Sequence, residues 1–344
     1  MPPRALVSLL FLLFQLLAAT GAHAQFTAPR GALNAAQLAI VINDADPSSV
    51  TVGEYYRKAR AIPAANVVHV SIPGKPHRID PKQFDQIRQS IDRQLPTGIE
   101  AVLMVWTAPY AVNCNSITAA YTLGYNDAQC SNGCAAGKPS PYFNANSARP
   151  FTQFGTRLSM LLPSDDIAMA KAVIDRGVAS GFKTGPAGAY YLVTSQTARN
   201  ARAPLFPRNA TIPAKKLTVK TLYSDALEDK RDIIVYQTGI ASVAKLATLG
   251  FLPGALADHL TSFGGDLLGN TGQMSSLKWL EAGATASYGT VGEPCNHWQK
   301  FPQPTVLLQH YLNGATAIEA YWRSVAWPTQ GLFIGEPLAA PYRR

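Results

Sequence analysis

The sequence predicts an α/β protein with a parallel-rich sheet and helices on both faces. Short apolar runs alternate with amphipathic stretches through the first third of the chain, an order that is typical of parallel sheets with right-handed crossovers. The amphipathic stretches open on Asp-Pro pairs, as helices often do. No internal repeat or low-complexity linker divides the 344 residues, so we expect a single domain over residues 25–344.

The first elements follow one another closely. Residues 38–42 are a continuous apolar run, which predicts a buried strand. Asp46 and Pro47 then supply a helix cap and a first helical residue. A second strand is predicted at residues 67–72, and Asp80 and Pro81 after it mark the start of another helix in the same way. A third strand is predicted over residues 101–106.

A long insertion interrupts this alternation at about residues 107–150. It is rich in Asn, Ser, Gly and Pro, and a loop of this length is usually functional or covalently pinned. Beyond it the pattern predicts strands and helices again. The strands are expected at residues 157–162, 190–194, 217–222, 233–236 and 284–288, and the helices after Ser164 and at residues 275–282, 306–313 and 316–325.

Residues 1–24 are typical of a secretory signal peptide. Arg4 precedes an uncharged apolar run, and Ala22-His23-Ala24 supplies the small residues that signal peptidase reads. We therefore expect cleavage after Ala24 and a periplasmic or secreted protein. No later run of about 18 apolar residues predicts a membrane span.

The four cysteines are Cys114, Cys130, Cys134 and Cys295. In an exported protein, pairing is the usual state, and four cysteines allow three connectivities. Two disulfides are favoured; one disulfide with free thiols, or a metal site, are the alternatives. The spacing of Cys130 and Cys134 lacks a matching second pair, so no metal is expected.

The net charge of +9 points to partners of opposite charge. The basic residues are scattered, and the densest group is Lys215, Lys216 and Lys220, so a solvated positive surface is favoured over a binding tail. An anionic envelope component stays a possible partner. Nucleic-acid motifs are absent, and no nucleic acid is expected as a partner.

Ligands of parallel α/β sheets bind beyond the carboxyl ends of the strands. The candidate binding residues there are Asn43, Asp44, Asp46, Tyr110 and Asn113. The acidic residues could hold a cation, but a strand-to-helix turn capped by Asp46 is the favoured interpretation.

Further residues could carry chemistry. Asp258, His259 and Ser262 have the residue types of a hydrolytic triad, and Cys295 with His297 or His259 could form a thiolate–imidazolium pair. The alternatives are a polar helix start around His259 and Ser262 and a disulfide at Cys295. The first strand is followed by no glycine-rich phosphate loop, and HExxH and GxSxG motifs are absent, so no cofactor is expected.

Three segments, taken in order, carry a resemblance. Residues 157–163 (RLSMLLP) precede a predicted helix, residues 276–286 (SLKWLEAGATA) run from a helix into a strand, and residues 335–338 (GEPL) form a late turn. In this order the chain resembles gingipain-type cysteine peptidases of the caspase-like class. The whole chain is also similar to a family of exported, uncharacterised bacterial proteins.

The resemblance does not extend to the peptidase dyad. Ile240 stands where the family has its histidine, and residues 260–265 (LTSFGG) match the cysteine segment without a cysteine. An isoleucine cannot take a proton from a nucleophile. The sequence therefore predicts a pseudo-peptidase that binds or assists processing. The alternative is a hydrolase whose rebuilt site uses His259 with Ser262 or Cys295, and a third hypothesis is an envelope protein held by its charge.

Overall fold

The computed structural model describes residues 32–181 and 185–343; the predicted signal peptide lies outside these ranges. The strands are β1 (Leu38–Asn43), β2 (Val67–Val70), β3 (Arg78–Ile79), β4 (Ala101–Val105), β5 (Ala111–Val112), β6 (Asn115–Ser116), β7 (Leu158–Leu161), β8 (Ala187–Val193), β9 (Ala210–Ile212), β10 (Leu217–Tyr223), β11 (Ile233–Thr238), β12 (Phe251–His259), β13 (Ala286–Thr290) and β14 (Gly331–Gly335). The α-helices are α1 (Pro47–Ala59), α2 (Pro81–Gln94), α3 (Ile117–Leu123), α4 (Ala128–Ser131), α5 (Pro150–Phe154), α6 (Ile167–Val178), α7 (Leu277–Ala282), α8 (Pro304–Leu312) and α9 (Ala317–Ser324).

Eleven of these strands form one sheet in the order β2-β1-β4-β7-β14-β13-β12-β11-β8-β10-β9. Neighbours from β2 to β7 run parallel, as do neighbours from β13 to β10, while β14 is antiparallel to β13 and β9 to β10. The predicted α/β class with a largely parallel sheet is confirmed.

Helices lie on both faces of the sheet. Side chains alternate between the faces along a strand, and in β12 the carboxyl of Asp258 faces Tyr321 of α9 while the ring of His259 contacts Trp279 of α7. Helices α8 and α9 pack together on the first face, and α6 contacts both α1 and α7 on the second. The buried apolar residues form a large cluster, whose members range along the chain from Leu33 to Tyr342, and a smaller one that includes Tyr236 and Trp279.

The capped helix starts are confirmed. The side chain of Asp46 accepts a hydrogen bond from the backbone of Ser48, and Asp80 forms a capping box with Gln83. The predicted cap at Ser164 is wrong: Asp166 caps α6 by accepting from the backbone of Met169, two residues further along.

Two regions differ from the sequence-based expectation. The insertion at residues 107–150 contains the buried helix α3 and two short strands: β5 pairs with β3, and β6 pairs with β5. His259 and Asp258 lie in strand β12, where a polar helix start was the favoured alternative. None of the helices in the described ranges is long and apolar enough to cross a membrane.

Candidate functional site

One edge of the sheet collects the segments that follow β2, β4, β12 and β13. Tyr110, after β4, donates a hydrogen bond from its hydroxyl to Asp266, which follows β12. Arg78 donates from Nη2 to the carbonyl oxygen of Val291, 2.5 Å away and just after β13. These contacts show that the carboxyl ends of the strands meet at one edge, which we call the carboxyl edge.

The backbone of the carboxyl edge is tightly turned. Asn113, Phe263 and Cys295 adopt positive φ angles of 46°, 59° and 54°, a region that residues other than glycine rarely occupy. Gly264 and Gly265 lie directly against β13, since a Cβ on Gly289 would come within 2.3 Å of the Gly264 carbonyl carbon. Such strained, close-packed turns often occur at functional sites.

His259 is fully enclosed beneath this edge, and both of its ring nitrogens have partners. The indole Nε1 of Trp279 donates to Nδ1 at 3.0 Å, so Nε2 carries the proton and donates to the carbonyl oxygen of Met274 at 3.1 Å. Burial, reinforced by the positive charges of Arg202 and Arg199, lowers the pKa of His259 to about 3. The imidazole is therefore neutral, and neither nitrogen is turned to Ser262 or Cys295.

Ser262 lies at the carboxyl edge and is partly exposed. Its hydroxyl donates to Oε2 of Glu293 at 2.6 Å. The other carboxylate oxygen of Glu293 accepts from the backbone N–H of Cys295 at 2.7 Å. The structure thus brings Ser262 next to a carboxylate and not next to His259.

Cys295 is covalently engaged. It forms a disulfide with Cys134, and Cys114 forms a second with Cys130. The prediction of two disulfides is confirmed, and Cys295 has no thiol to act as a nucleophile in this state. The Cys134–Cys295 bond ties the insertion to the segment that follows β13.

The predicted binding residues divide into two groups. Asn43 ends β1 and Asp44 and Asp46 follow it, and both Asn43 and Asp46 stabilise the local backbone. The side chain of Asn43 pairs with both the N–H and the carbonyl of Ile72, and Asp46 caps α1. Asp44 forms a 2.7 Å hydrogen bond with Nδ1 of His69 at the surface.

Tyr110 and Asn113 join the site. Besides the bond from Tyr110 to Asp266, the carbonyl oxygen of Asn113 accepts from Nη1 of Arg78 at 2.8 Å. Burial and the Asp266 carboxylate raise the pKa of Tyr110 above the normal range, so its hydroxyl stays protonated and donates.

Ile240 lies where the resemblance places a histidine. It is buried in an apolar cluster with Tyr236 and Trp279. Next to it, Gly239 is covered by a 3-10 helix that spans Thr197–Leu205: a Cβ on Gly239 would lie 1.9 Å from the carbonyl oxygen of Arg199. This helix closes the space between the ends of β8 and β11.

A buried ion pair that the sequence patterns did not indicate lies on the other face of β12. The guanidinium of Arg202 donates to Asp258, and Gln237 donates to the second oxygen of that carboxylate at 2.8 Å. Burial raises the pKa of the Asp258 carboxyl, and Arg202 opposes the shift. Only the charge of Asp258 at a strand end signalled this pair, because Arg202 comes from a distant connection.

Arg78, Asp266 and Glu293 are further site residues that sequence reasoning did not single out. Across the described ranges, no three His, Cys, Asp or Glu side chains are grouped as a metal ion would require. Comparisons with protein-family models, curated proteins and solved structures found no match. The geometry of the carboxyl edge is therefore the basis for the functional argument.

Proposed function

We propose that this chain is an exported pseudo-peptidase: a caspase-like, gingipain-like scaffold that binds polypeptide at its carboxyl edge and lacks the Cys/His dyad of the peptidases it resembles. The signal-like N-terminus and the two disulfides support an oxidising compartment outside the cytoplasm. The parallel-rich sheet, with its strand ends meeting at one edge, supports this location for the binding site.

One observation carries the proposal, namely the state of His259. A general base must reach the proton that it removes and must be able to hold it near the working pH. The Nδ1 of His259 already accepts from Trp279, and its pKa of about 3 leaves it a poor base at neutral pH. His259, the candidate base for a hydrolytic site, therefore acts as a hydrogen-bonded residue of the core.

A second candidate function rests on Ser262. Its hydrogen bond to Glu293 gives the hydroxyl a carboxylate acceptor, which could favour slow acyl transfer. A carboxylate is a much weaker base than the serine alkoxide that it would have to generate, so this arrangement supplies less activation than an imidazole. We rank it below binding without catalysis.

The first experiment asks whether the chain is catalytic. The folded, oxidised protein is incubated with covalent probes for serine and cysteine hydrolases and with a mixed peptide and ester library. We expect no labelled residue and no turnover in the wild type, His259→Ala or Ser262→Ala. Turnover that both Ser262→Ala and Glu293→Gln abolish would establish the second candidate function instead.

The second experiment asks whether the carboxyl edge binds polypeptide. The immobilised protein is mixed with a library of random 12-residue peptides, and retained peptides are counted by mass spectrometry. Ser262→Trp, which fills the edge, should reduce retention at least tenfold. Val178→Trp is the matched control, because Val178 is exposed at the end of α6, away from this edge. Equal retention by both variants would contradict the proposal.

A further inference from the structure

Arg199 is the residue that links the two segments in which the peptidase dyad would stand. Its backbone carbonyl lies against Gly239, beside Ile240. Its side chain crosses to the cysteine-like segment, where Nε donates to the hydroxyl of Thr261 at 3.4 Å. A guanidinium thus occupies the region in which the resemblance would place nucleophile and base.

The backbone that carries Arg199 is firmly held. The hydroxyl of Thr194 donates to the carbonyl oxygen of Gly239 at 2.6 Å, and the side-chain amide of Asn200 donates to the carbonyl oxygen of Thr194 at 2.7 Å. Gln196 accepts from the backbone N–H of Ala241 at 3.0 Å. These bonds tie the start of the connection to the ends of β8 and β11 and hold the backbone around Arg199, while the bond to Thr261 orients its guanidinium.

The charge of Arg199 is not neutralised by the neighbouring acids. Asp258 pairs with Arg202, and Glu293 accepts a hydrogen bond from Ser262. In the described part of the chain, Arg199 has no ion-pair partner. A guanidinium has five N–H donors, and the bond to Thr261 uses one. The positive potential is felt nearby, since Arg199 contributes to the lowered pKa of His259.

We infer that Arg199 is the anchor for a carboxylate of the bound polypeptide, and specifically for its free C-terminal carboxylate. The inference rests on the proposed function, because it assigns a ligand chemistry to the same carboxyl edge. A planar guanidinium binds a carboxylate through two parallel hydrogen bonds. Every polypeptide ends in a carboxylate whatever its sequence, so a partly exposed guanidinium beside Thr261 fits a group that any bound chain can present.

Other groups at the edge fit this ligand. Gln273 accepts from the Thr261 hydroxyl through its carbonyl oxygen, which leaves its amide N–H groups able to donate to an anion. Thr261 itself is buried, whereas Arg199, Ser262 and Gln273 are partly exposed. A carboxylate would therefore approach the guanidinium from solvent, while the buried Thr261 holds the guanidinium on its inner side.

The test uses three libraries of random 12-residue peptides with the full mature, oxidised chain. One ends in a free carboxylate, one in a carboxamide, and the third is amidated and enriched in internal glutamate. We expect the free-acid library to be retained about 10- to 100-fold better than the amidated one, the range that a charge-assisted bond implies. Equal retention of the first two libraries would overturn the carboxylate inference while leaving polypeptide binding intact. Better retention of the glutamate library would show that Arg199 binds a side-chain carboxylate, which would overturn the inference of a C-terminal carboxylate.

Variants separate the side chain from general charge. Arg199→Gln should abolish the preference for the free acid, and Arg199→Lys should keep part of it, because the charge remains while the paired donors are lost. Arg208→Gln removes the same charge from an exposed position later in the same connection and should change nothing. A loss of preference in Arg208→Gln equal to that in Arg199→Gln would sink the inference. Failure of all libraries to bind would reject the proposed function as well.

Discussion

The imidazole of His259 is held neutral by its position between Trp279 and Met274. A charged imidazole would have to donate from both nitrogens, and Nδ1 faces a donor that has no lone pair to offer. The cost of charging this side chain explains its pKa of about 3, with burial as the main cause. The residue that could have supplied hydrolytic chemistry thus acts as a hydrogen-bonding core residue.

This state predicts how stability depends on pH. In the unfolded chain His259 binds a proton below its ordinary pKa of about 6.5, whereas the folded chain binds it only near pH 3. The unfolded state therefore gains protons first, and the free energy of unfolding should fall as pH drops from about 6.5 towards 3. The expected slope is about 1.4 kcal/mol per pH unit for this one proton.

Urea unfolding between pH 7 and pH 4 measures the effect. His259→Gln keeps an acceptor for Trp279 and removes the titration, so its stability should fall less steeply than that of the wild type. His297→Gln, at an exposed position, is the control and should follow the wild type. Parallel curves for wild type and His259→Gln would show that the folded chain charges this histidine.

Gly289 offers a second prediction at the scale of one residue. A Cβ there would lie 2.3 to 2.6 Å from backbone atoms of Gly264 and Gly265, and backbone cannot move aside as a flexible side chain can. Gly289→Ala should therefore reduce the free energy of unfolding by about 1–3 kcal/mol or more. Gly292→Ala is the control, since its Cβ would have a nearest contact of 3.6 Å. Equal stability of the two variants in chemical denaturation would mean that this approach is not tight.

At the scale of elements, the strands and helix starts that have a clear local sequence pattern were predictable. The elements that lack such a pattern were not. Strands β1 and β4 are unbroken apolar runs, and Asp-Pro pairs mark the starts of α1 and α2. Strand β12 was missed because it contains Pro253, Gly254 and three residues of low strand propensity, and only its central place in the sheet makes it a strand. Tertiary context decides such segments.

The same distinction explains the candidate site. The rule that ligands meet strand ends selected Tyr110, Asn113 and Ser262, and all three lie at the carboxyl edge. The rule did not select Arg78 and Arg199, because they belong to connections whose paths depend on contacts with residues distant in sequence. Arg199 reaches a residue 62 positions away, and no local spacing encodes such a contact.

We expect the two disulfides to contribute unequally to the free energy of unfolding. Cys114–Cys130 closes a separation of 16 residues and Cys134–Cys295 one of 161. If a crosslink acts mainly by restricting the unfolded chain, its contribution grows with the logarithm of loop length, which gives about 3 and about 5 kcal/mol. Paired Cys→Ala replacements at each bond, compared by urea unfolding, measure both. A larger loss for the Cys114–Cys130 pair would show that contacts within the folded insertion outweigh loop entropy.

At the scale of the whole molecule, the fold depends on covalent and electrostatic links between distant segments. Arg202 and Asp258 form a buried pair across 56 residues, and the Cys134–Cys295 bond joins the insertion to the end of β13. A disulfide of this span requires an oxidising environment while the chain folds. Compartment and stability are therefore expected to be linked for this protein.

The last prediction concerns that link. Protein recovered from an exported fraction should begin at Gln25 and contain both disulfides, because we expect export with cleavage after Ala22-His23-Ala24. The same chain made without its first 24 residues in a reducing cytosol should have four thiols and a lower free energy of unfolding, by about 5 kcal/mol or more, because both bonds are missing. N-terminal sequencing, thiol counting and urea unfolding of the two preparations provide the test. An exported protein that still starts at Met1 would contradict the signal peptide, and equal stability of the reduced and oxidised forms would contradict the structural role of the disulfides.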